Sequence, residues 1–236
     1  MKGYLLSVEE LNNETGAQQL LEEALRKLDA HRLDKVNRLR VGKAQNQAVG
    51  AGLLLQLAVQ EQISECLTTE GQISHEQDMR NGTPVFEQIT LANLLERLGG
   101  PVQIAYSHGP KGKPDFADAM MGHFNLSHSE EYVCAVFDRR ELGVDIQWMR
   151  PLKNMRMAER FFSQGEKQAL ADCSNPGMRE KLFYRIWVKK ESYAKLTGEG
   201  IAAVVEQDTF ALARQVVWQE WEMPEGYCMA VCQYRE

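Results

Sequence analysis

Trp187-Val188-Lys189-Lys190-Glu191-Ser192-Tyr193-Ala194-Lys195 is the stretch from which the rest of the chain is read. Positions 187, 191 and 195 are spaced four apart, so in a helix Trp187, Glu191 and Lys195 stack on one face. That face joins an anchoring ring, a carboxylate and a cation. Asn175-Pro176 predicts the start of the helix, with proline in its first turn, and Gly198 and Gly200 stop it at about Thr197. Upstream, Ser163-Gln164-Gly165-Glu166 has the pattern of a capping box and opens a helix to about Asp172. Further back, Tyr132 to Phe137 is an unbroken apolar run, as in a buried strand. Asp138-Arg139-Arg140-Glu141 turns the chain and Leu142 to Ile146 returns, which predicts an antiparallel hairpin. Downstream of the long helix, short strands are expected near 208–213, 215–221 and 227–233.

The first half is read the same way. Residues 2–8 predict a strand, and 17–33 carry Leu20, Leu21, Ala24, Leu25 and Leu28 at helical spacing. From 31 to 43 the chain is basic, with His31, Arg32, Lys35, Arg38, Arg40 and Lys43 offset only by Asp34. Helical periodicity resumes over 44–67, where Gly50 and Gly52 cost helix stability and so point to close packing. Residues 68–110 are less regular, with a helix over 91–98 and a strand over 102–106. Gly109-Pro110-Lys111-Gly112-Lys113-Pro114 is a loop by composition. Each half therefore reads as helices plus short strands, an α+β chain.

Composition narrows the function. The 236 residues are 44% hydrophobic and 25% charged, a globular balance, and the net charge of −6 argues against a general nucleic-acid binder. The longest apolar run, Val49 to Val59, is too short for a membrane span, and the N-terminus lacks a signal-peptide core. A cytoplasmic protein is expected. Cys66, Cys134, Cys173, Cys228 and Cys232 are scattered and read as reduced thiols rather than a zinc site.

Several residues could carry chemistry. Asp145 interrupts the apolar strand Leu142-Gly143-Val144-Asp145-Ile146, and a buried carboxylate needs a cation or donors. It is either a Mg²⁺ ligand or a strand-end aspartate bonded to a turn. Glu191 and Lys195 are either site groups or an ordinary i,i+4 surface pair. His128, in a polar Ser127-His128-Ser129 turn, could reach a phosphate or simply satisfy that turn. The basic stretch could neutralise a phosphomonoester or be a solvated helix end. Lys113 is otherwise a loop lysine. No GxxxxGK[ST] or GxGxxG is present.

Taken in order, the basic stretch, GKP, FNLSHS at 124–129, GVDI at 143–146, Arg160-Phe161-Phe162-Ser163 with Glu166, WxxKESYAK and Gly226-Tyr227-Cys228-Met229-Ala230-Val231-Cys232 resemble the surfactin-type 4′-phosphopantetheinyl transferases over most of the chain. Residues 68–110 match poorly and form an irregular insertion.

The resemblance implies two similar halves related by a pseudo-twofold, 1–138 and 139–236, with coenzyme A and Mg²⁺ bound between them in a monomer. It implies transfer of 4′-phosphopantetheine to a serine of an acyl or peptidyl carrier protein, with release of adenosine 3′,5′-bisphosphate. Asp145 and Glu191 match the metal carboxylates, and Gln147 stands where many relatives have an acid. Lys195 and His128 match groups on the pyrophosphate, Ser127 lies beside His128, and Lys190 is expected on the same phosphate face. Lys113 matches the loop lysine near the adenosine, and Arg32, Lys35 or Arg38 the 3′-phosphate group. Glu191 is the expected base for the carrier serine. Met149, Met155 and Met157 are either a carrier-docking surface or core. The alternative, motivated by Gln147, is a coenzyme A-binding protein of the same fold without transfer.

Overall fold

The computed structural model describes residues 1–12, 16–69, 85–152, 155–221 and 223–236. These divide into two compact units, Met1–Tyr106 with Phe116–Arg139, and Ser107–Asp115 with Arg140–Glu236.

Unit 1 starts with β1 (Lys2–Ser7), then α1 (Ala17–Arg26), α2 (Ala30–Asn37) and α3 (Lys43–Thr69), before β2 (Val85–Ile89) returns parallel to β1. A parallel pair requires such a crossover. After α4 (Leu91–Arg97), β3 (Tyr106–His108) and β4 (Pro114–Phe116) form a two-stranded ribbon whose tip, Ser107–Asp115, groups with unit 2. β5 (His123–Ser129) and β6 (Tyr132–Asp138) complete a sheet of order β2-β1-β6-β5 among the described residues. Leu53, Leu54 and Leu57 of α3 are buried in one cluster with Tyr4, Leu6, Val133 and Ala135 of the sheet. The two α3 glycines allow this packing, as expected. A Cβ on Gly50 would lie 2.7 Å from Val8 Cγ1, and one on Gly52 2.6 Å from Leu28 Cδ2.

Two expectations for unit 1 change. The helix over 17–33 breaks because Asp29 is extended and caps a new helix, its carboxylate accepting from the Arg32 N–H at 3.1 Å. Residues 102–105 are not a strand. Gln56 takes the place of a ladder partner, accepting from Val102 N–H at 2.9 Å and donating to its carbonyl at 2.7 Å. Part of the irregular insertion, residues 70–84, lies outside the described residues.

In unit 2, β7 (Gly143–Trp148) pairs antiparallel with β9 (Tyr227–Tyr234), which also pairs with β8 (Val216–Glu220). The expected hairpin of 132–146 therefore does not form. Both edges of β6 are already hydrogen-bonded, by β1 and β5, so β7 belongs to a separate sheet. The helices are α5 (Arg156–Phe161), α6 (Gln164–Asp172), α7 (Pro176–Thr197) and α8 (Thr209–Leu212). The capping box at Ser163 and Glu166 is complete, and Asn175 caps α7 through the Met178 N–H at 3.0 Å. Residues 209–212, expected as strand, are helical because the Asp208 carboxylate accepts from the N–H groups of Phe210 and Ala211 at 2.8 and 3.1 Å. α7 packs on β7 and β9. No helix among the described residues is long and apolar enough to cross a membrane.

Candidate active site

Gly143 sets the closest approach of β7 to α7. A Cβ there would lie 2.0 Å from the Ser192 carbonyl oxygen and 2.4 Å from the Leu196 nitrogen. Backbone touches backbone, and the next residue on the same face of β7, Asp145, is brought against the helix. Asp145 is buried, and its Oδ1 lies 2.7 Å from Lys195 Nζ. Glu191 stands one turn before Lys195. Its carboxyl is pushed up to about 7, first by burial and then by the charge of Asp145, with Lys195 opposing both. Two carboxylates and an ammonium thus converge in unit 2.

Gln147 follows Asp145 on the same face of β7 and is half-buried, its Nε2 donating to the Trp148 carbonyl at 3.4 Å. Asp145, Glu191 and the Gln147 amide oxygen are hard donors. A divalent cation would relieve the carboxylate repulsion that helps hold Glu191 high. Among the described residues no three His, Cys, Asp or Glu side chains cluster for a metal. A Mg²⁺ here would rest on two carboxylates and complete its shell with other oxygens, its common mode beside phosphates.

The lysines of α7 diverge. Lys189 pairs with Glu220 at 2.9 Å. Lys190, expected on the phosphate face, is 1% exposed, lies 3.0 Å from Glu166 Oε2 and donates to the carbonyls of Val205 and Gln207. Neighbouring helical positions differ by about 100°, so Lys190 cannot share the face of Glu191 and Lys195. Trp187 packs edge-to-face on Phe161 at 5.6 Å, the anchor its spacing suggested.

Lys113, in the 107–115 segment of unit 2, donates to the carbonyls of Leu196 at 3.0 Å and Leu142 at 3.3 Å, and burial lowers its pKa. It thereby meets the C-terminal end of α7, where an ammonium is favourable. Lys113, His108, Lys111, Glu141, Thr197 and Tyr234 help to wall a pocket of about 430 Å³.

The other candidates lie in unit 1. Arg32 is 4% exposed, donates to the Tyr106 hydroxyl at 3.4 Å and lies 5.3 Å from that ring's centre. The hydroxyl donates in turn to Asp29 Oδ2 at 3.1 Å. The Lys35 pKa is lowered, by burial first and by the charge of Arg32 second. Arg32 and Lys35 therefore form one cationic group, while the exposed Arg38 pairs with Asp34. The Ser127-His128-Ser129 segment is not a turn but the end of β5. Adjacent strand residues face opposite sides, so Ser127 is buried and His128 exposed, and the two do not present to one side.

Tyr106 is a positional residue that no motif contained, and Gly143 and Glu166 stood inside quoted motifs without being given this packing role. For Gly143 the signal was a glycine inside an apolar strand, which marks close backbone approach. Cys228, the register partner of Gln147, has its thiol pushed up to about 12 by burial and then by Asp145. Met149 and Met155 are half-buried against the cluster of Phe162, Leu170 and Phe183, whereas Met157 is 43% exposed. Met155, Ala158 and Leu170 also line an apolar groove of about 260 Å³ bordered by Lys167, Arg179 and Glu159.

Residues 141–232 match the family described as the 4′-phosphopantetheinyl transferase superfamily. The chain is similar to the 4′-phosphopantetheinyl transferase HetI of Nostoc sp., 36% identical over 155 residues that cover 58% of this chain and 65% of HetI. It is 35% identical to the 4′-phosphopantetheinyl transferase psf-1 of Bacillus pumilus over 144 residues, 55% of this chain and 60% of that one. With the 4′-phosphopantetheinyl transferase Sfp of Bacillus subtilis it shares 30% identity over 142 residues, 55% of this chain and 62% of Sfp. The matches span less than two thirds of each of these relatives. The resemblance read from the motifs is thus found again by comparison, and the family match contains Asp145, Gln147, Glu191 and Lys195.

Proposed function

We propose that this chain transfers the 4′-phosphopantetheine arm of coenzyme A to a serine of an acyl or peptidyl carrier protein and releases adenosine 3′,5′-bisphosphate. The observation that carries this reading is the convergence of Asp145, Glu191 and Lys195 inside the segment that resembles the transferase family. The division into halves at 138/139, a pseudo-twofold between them, a monomeric state and a cytoplasmic setting belong to the same reading.

In this reaction the serine Oγ forms a bond to the phosphopantetheinyl phosphorus, the phosphoanhydride P–O bond breaks, and the serine proton leaves. Phosphoryl transfer needs positioning and charge neutralisation more than covalent help. Glu191, a carboxylate that a bound Mg²⁺ would keep ionised, is the group assigned to take the proton. Lys195 and His128 neutralise the leaving bisphosphate. Asp145, Glu191 and Gln147 would hold Mg²⁺, which when bound supplies positive charge to the phosphate oxygens. Arg32 and Lys35 are the better of the three basic candidates for the 3′-phosphate, Arg32 being held in place by Tyr106. Lys113 serves the adenosine end, and Ser127 supports its strand from the buried side.

The carrier docks at the groove beside Met155. Its apolar lining and the cations Lys167 and Arg179 suit an acidic recognition helix. Replacing Met155 and Met157 with Glu raises the carrier KM and leaves coenzyme A binding alone; an unchanged KM removes this assignment.

Gln147, an amide where the resemblance implies an acid in many relatives, favours the second reading, a coenzyme A binder without transfer. Isothermal titration with coenzyme A beside a transfer assay separates the two. Loss of transfer in Glu191→Gln at saturating Mg²⁺ supports the enzyme, and near-normal turnover of that variant rules out Glu191 as the base.

A further inference from the structure

The charge chemistry of unit 2 is not confined to the Asp145 face of α7. On another face, Lys190 and Glu166 are 1% and 0% exposed, and Lys190 Nζ lies 3.0 Å from Glu166 Oε2. The ammonium also donates to the carbonyls of Val204 at 3.4 Å and Val205 at 3.1 Å, and to that of Gln207. Glu166 is equally engaged. Its Oε2 accepts from the Ser163 N–H at 2.8 Å and its Oε1 from the Thr209 N–H at 2.8 Å. The Ser163 hydroxyl donates to Asp208 at 2.6 Å, and Asp208 caps α8. One ion pair therefore ties α7 to the start of α6, to the turn over 204–207 and to the start of α8.

Burying two charges costs desolvation that their mutual attraction barely offsets, so stability alone is a weak reason for an ion pair here. What an ion pair adds is direction. An ammonium aimed at three fixed carbonyl oxygens and a carboxylate fixes the rotation of α7 about its axis. Glu191 is the next residue, and Lys195 stands one turn beyond it. We propose that Glu166 and Lys190 are positioning residues that set the azimuth of α7, and so the placing of Glu191 and Lys195 against Asp145. This inference rests on the transferase reading for its kinetic consequence and on the geometry alone for its structural one.

The test compares the wild-type protein with Glu166→Gln/Lys190→Met, which keeps size and removes both charges together. The expected result is a folded protein with a lower thermal midpoint, because three carbonyls and one backbone N–H lose their partners, with kcat for carrier modification of the folded variant down about tenfold or more, the cost of a small misplacement, and the coenzyme A KM within about twofold. In a crystal structure of the double variant, the Lys195–Asp145 contact is expected to open beyond ion-pair distance. A folded double variant with wild-type kcat and an intact Lys195–Asp145 contact overturns the proposal. Should the double variant not fold, Glu166→Asp, which keeps the charge and retracts it by one methylene, is judged by the same kcat and KM criterion. Absence of transfer by the wild-type protein would count against the transferase reading instead, and the crystallographic arm would still decide the positioning claim.

Discussion

Gly143 and Ser192 touch through their backbones, so closely that a Cβ at 143 would lie 2.0 Å from the Ser192 carbonyl oxygen. This contact sets the depth at which Asp145 meets α7, and with it the 2.7 Å pair with Lys195. A glycine here serves approach rather than backbone freedom, since every alternative adds an atom where another backbone already lies.

Gly143→Ala therefore forces β7 and α7 apart. Overpacking of this kind costs about 1–3 kcal/mol. The midpoint of urea unfolding is expected to fall accordingly, and transfer to fall further than stability alone explains. An alanine variant of wild-type stability and activity would mean that the contact is not close in solution.

The raised proton affinity of Glu191 has a stability signature in metal-free protein. The folded state holds this proton up to about 7, whereas the ordinary value is 4.5. Between those pH values the folded state binds more protons, so this group's contribution to stability falls as pH rises and stays low above 7. Glu191→Gln removes the effect. In chelator, thermal midpoints are expected to show the variant gaining on wild type as pH goes from 5 to 8. A constant difference across that range would show Glu191 to be an ordinary surface carboxylate.

Lys113 joins the loop over 109–113 to the end of α7 through the Leu196 carbonyl and to the start of β7 through that of Leu142. Lys113→Met should lower unfolding free energy by about 1 kcal/mol, the net worth of such bonds. Amide hydrogen exchange should report faster opening at the last turn of α7. Unchanged protection there would show that the lysine does not cap the helix.

The thiols offer a check on burial. Cys134 and Cys232 are buried, and burial pushes the Cys228 thiol up to about 12. Among the described cysteines, alkylation of native protein at pH 8 should label Cys173 well before the other three. Equal labelling without denaturant would contradict the packing of β9.

Much of this arrangement was legible in the sequence because it is local. The i,i+4 spacing of Trp187, Glu191 and Lys195, the box at Ser163 and Glu166, and the stop at Gly198 depend on residues within a turn or two of each other. Two of the failures are non-local. Tyr132–Phe137 and Leu142–Ile146 read as a hairpin because a short polar turn joins two apolar runs, yet which strand edges are already occupied depends on β1, more than a hundred residues away. Lys190 looked like its neighbour Lys195, but a lysine's role depends on what lies opposite it, here Glu166 and a turn of carbonyls. Ser127 and His128 were grouped by adjacency, and a strand places adjacent residues on opposite sides. Thr209 and Phe210 are strand-forming side chains, but residues 209–212 follow an aspartate that caps them into a helix.

The central claim is transfer itself, and intact mass spectrometry tests it most directly. An apo carrier protein incubated with this protein, coenzyme A and Mg²⁺ is expected to gain the mass of one phosphopantetheine, and to gain none with the Asp145→Ala variant. No gain with wild-type protein across acyl and peptidyl carriers, while coenzyme A still binds, would contradict the account and favour the non-catalytic binder, with Gln147 the first position to change to an acid.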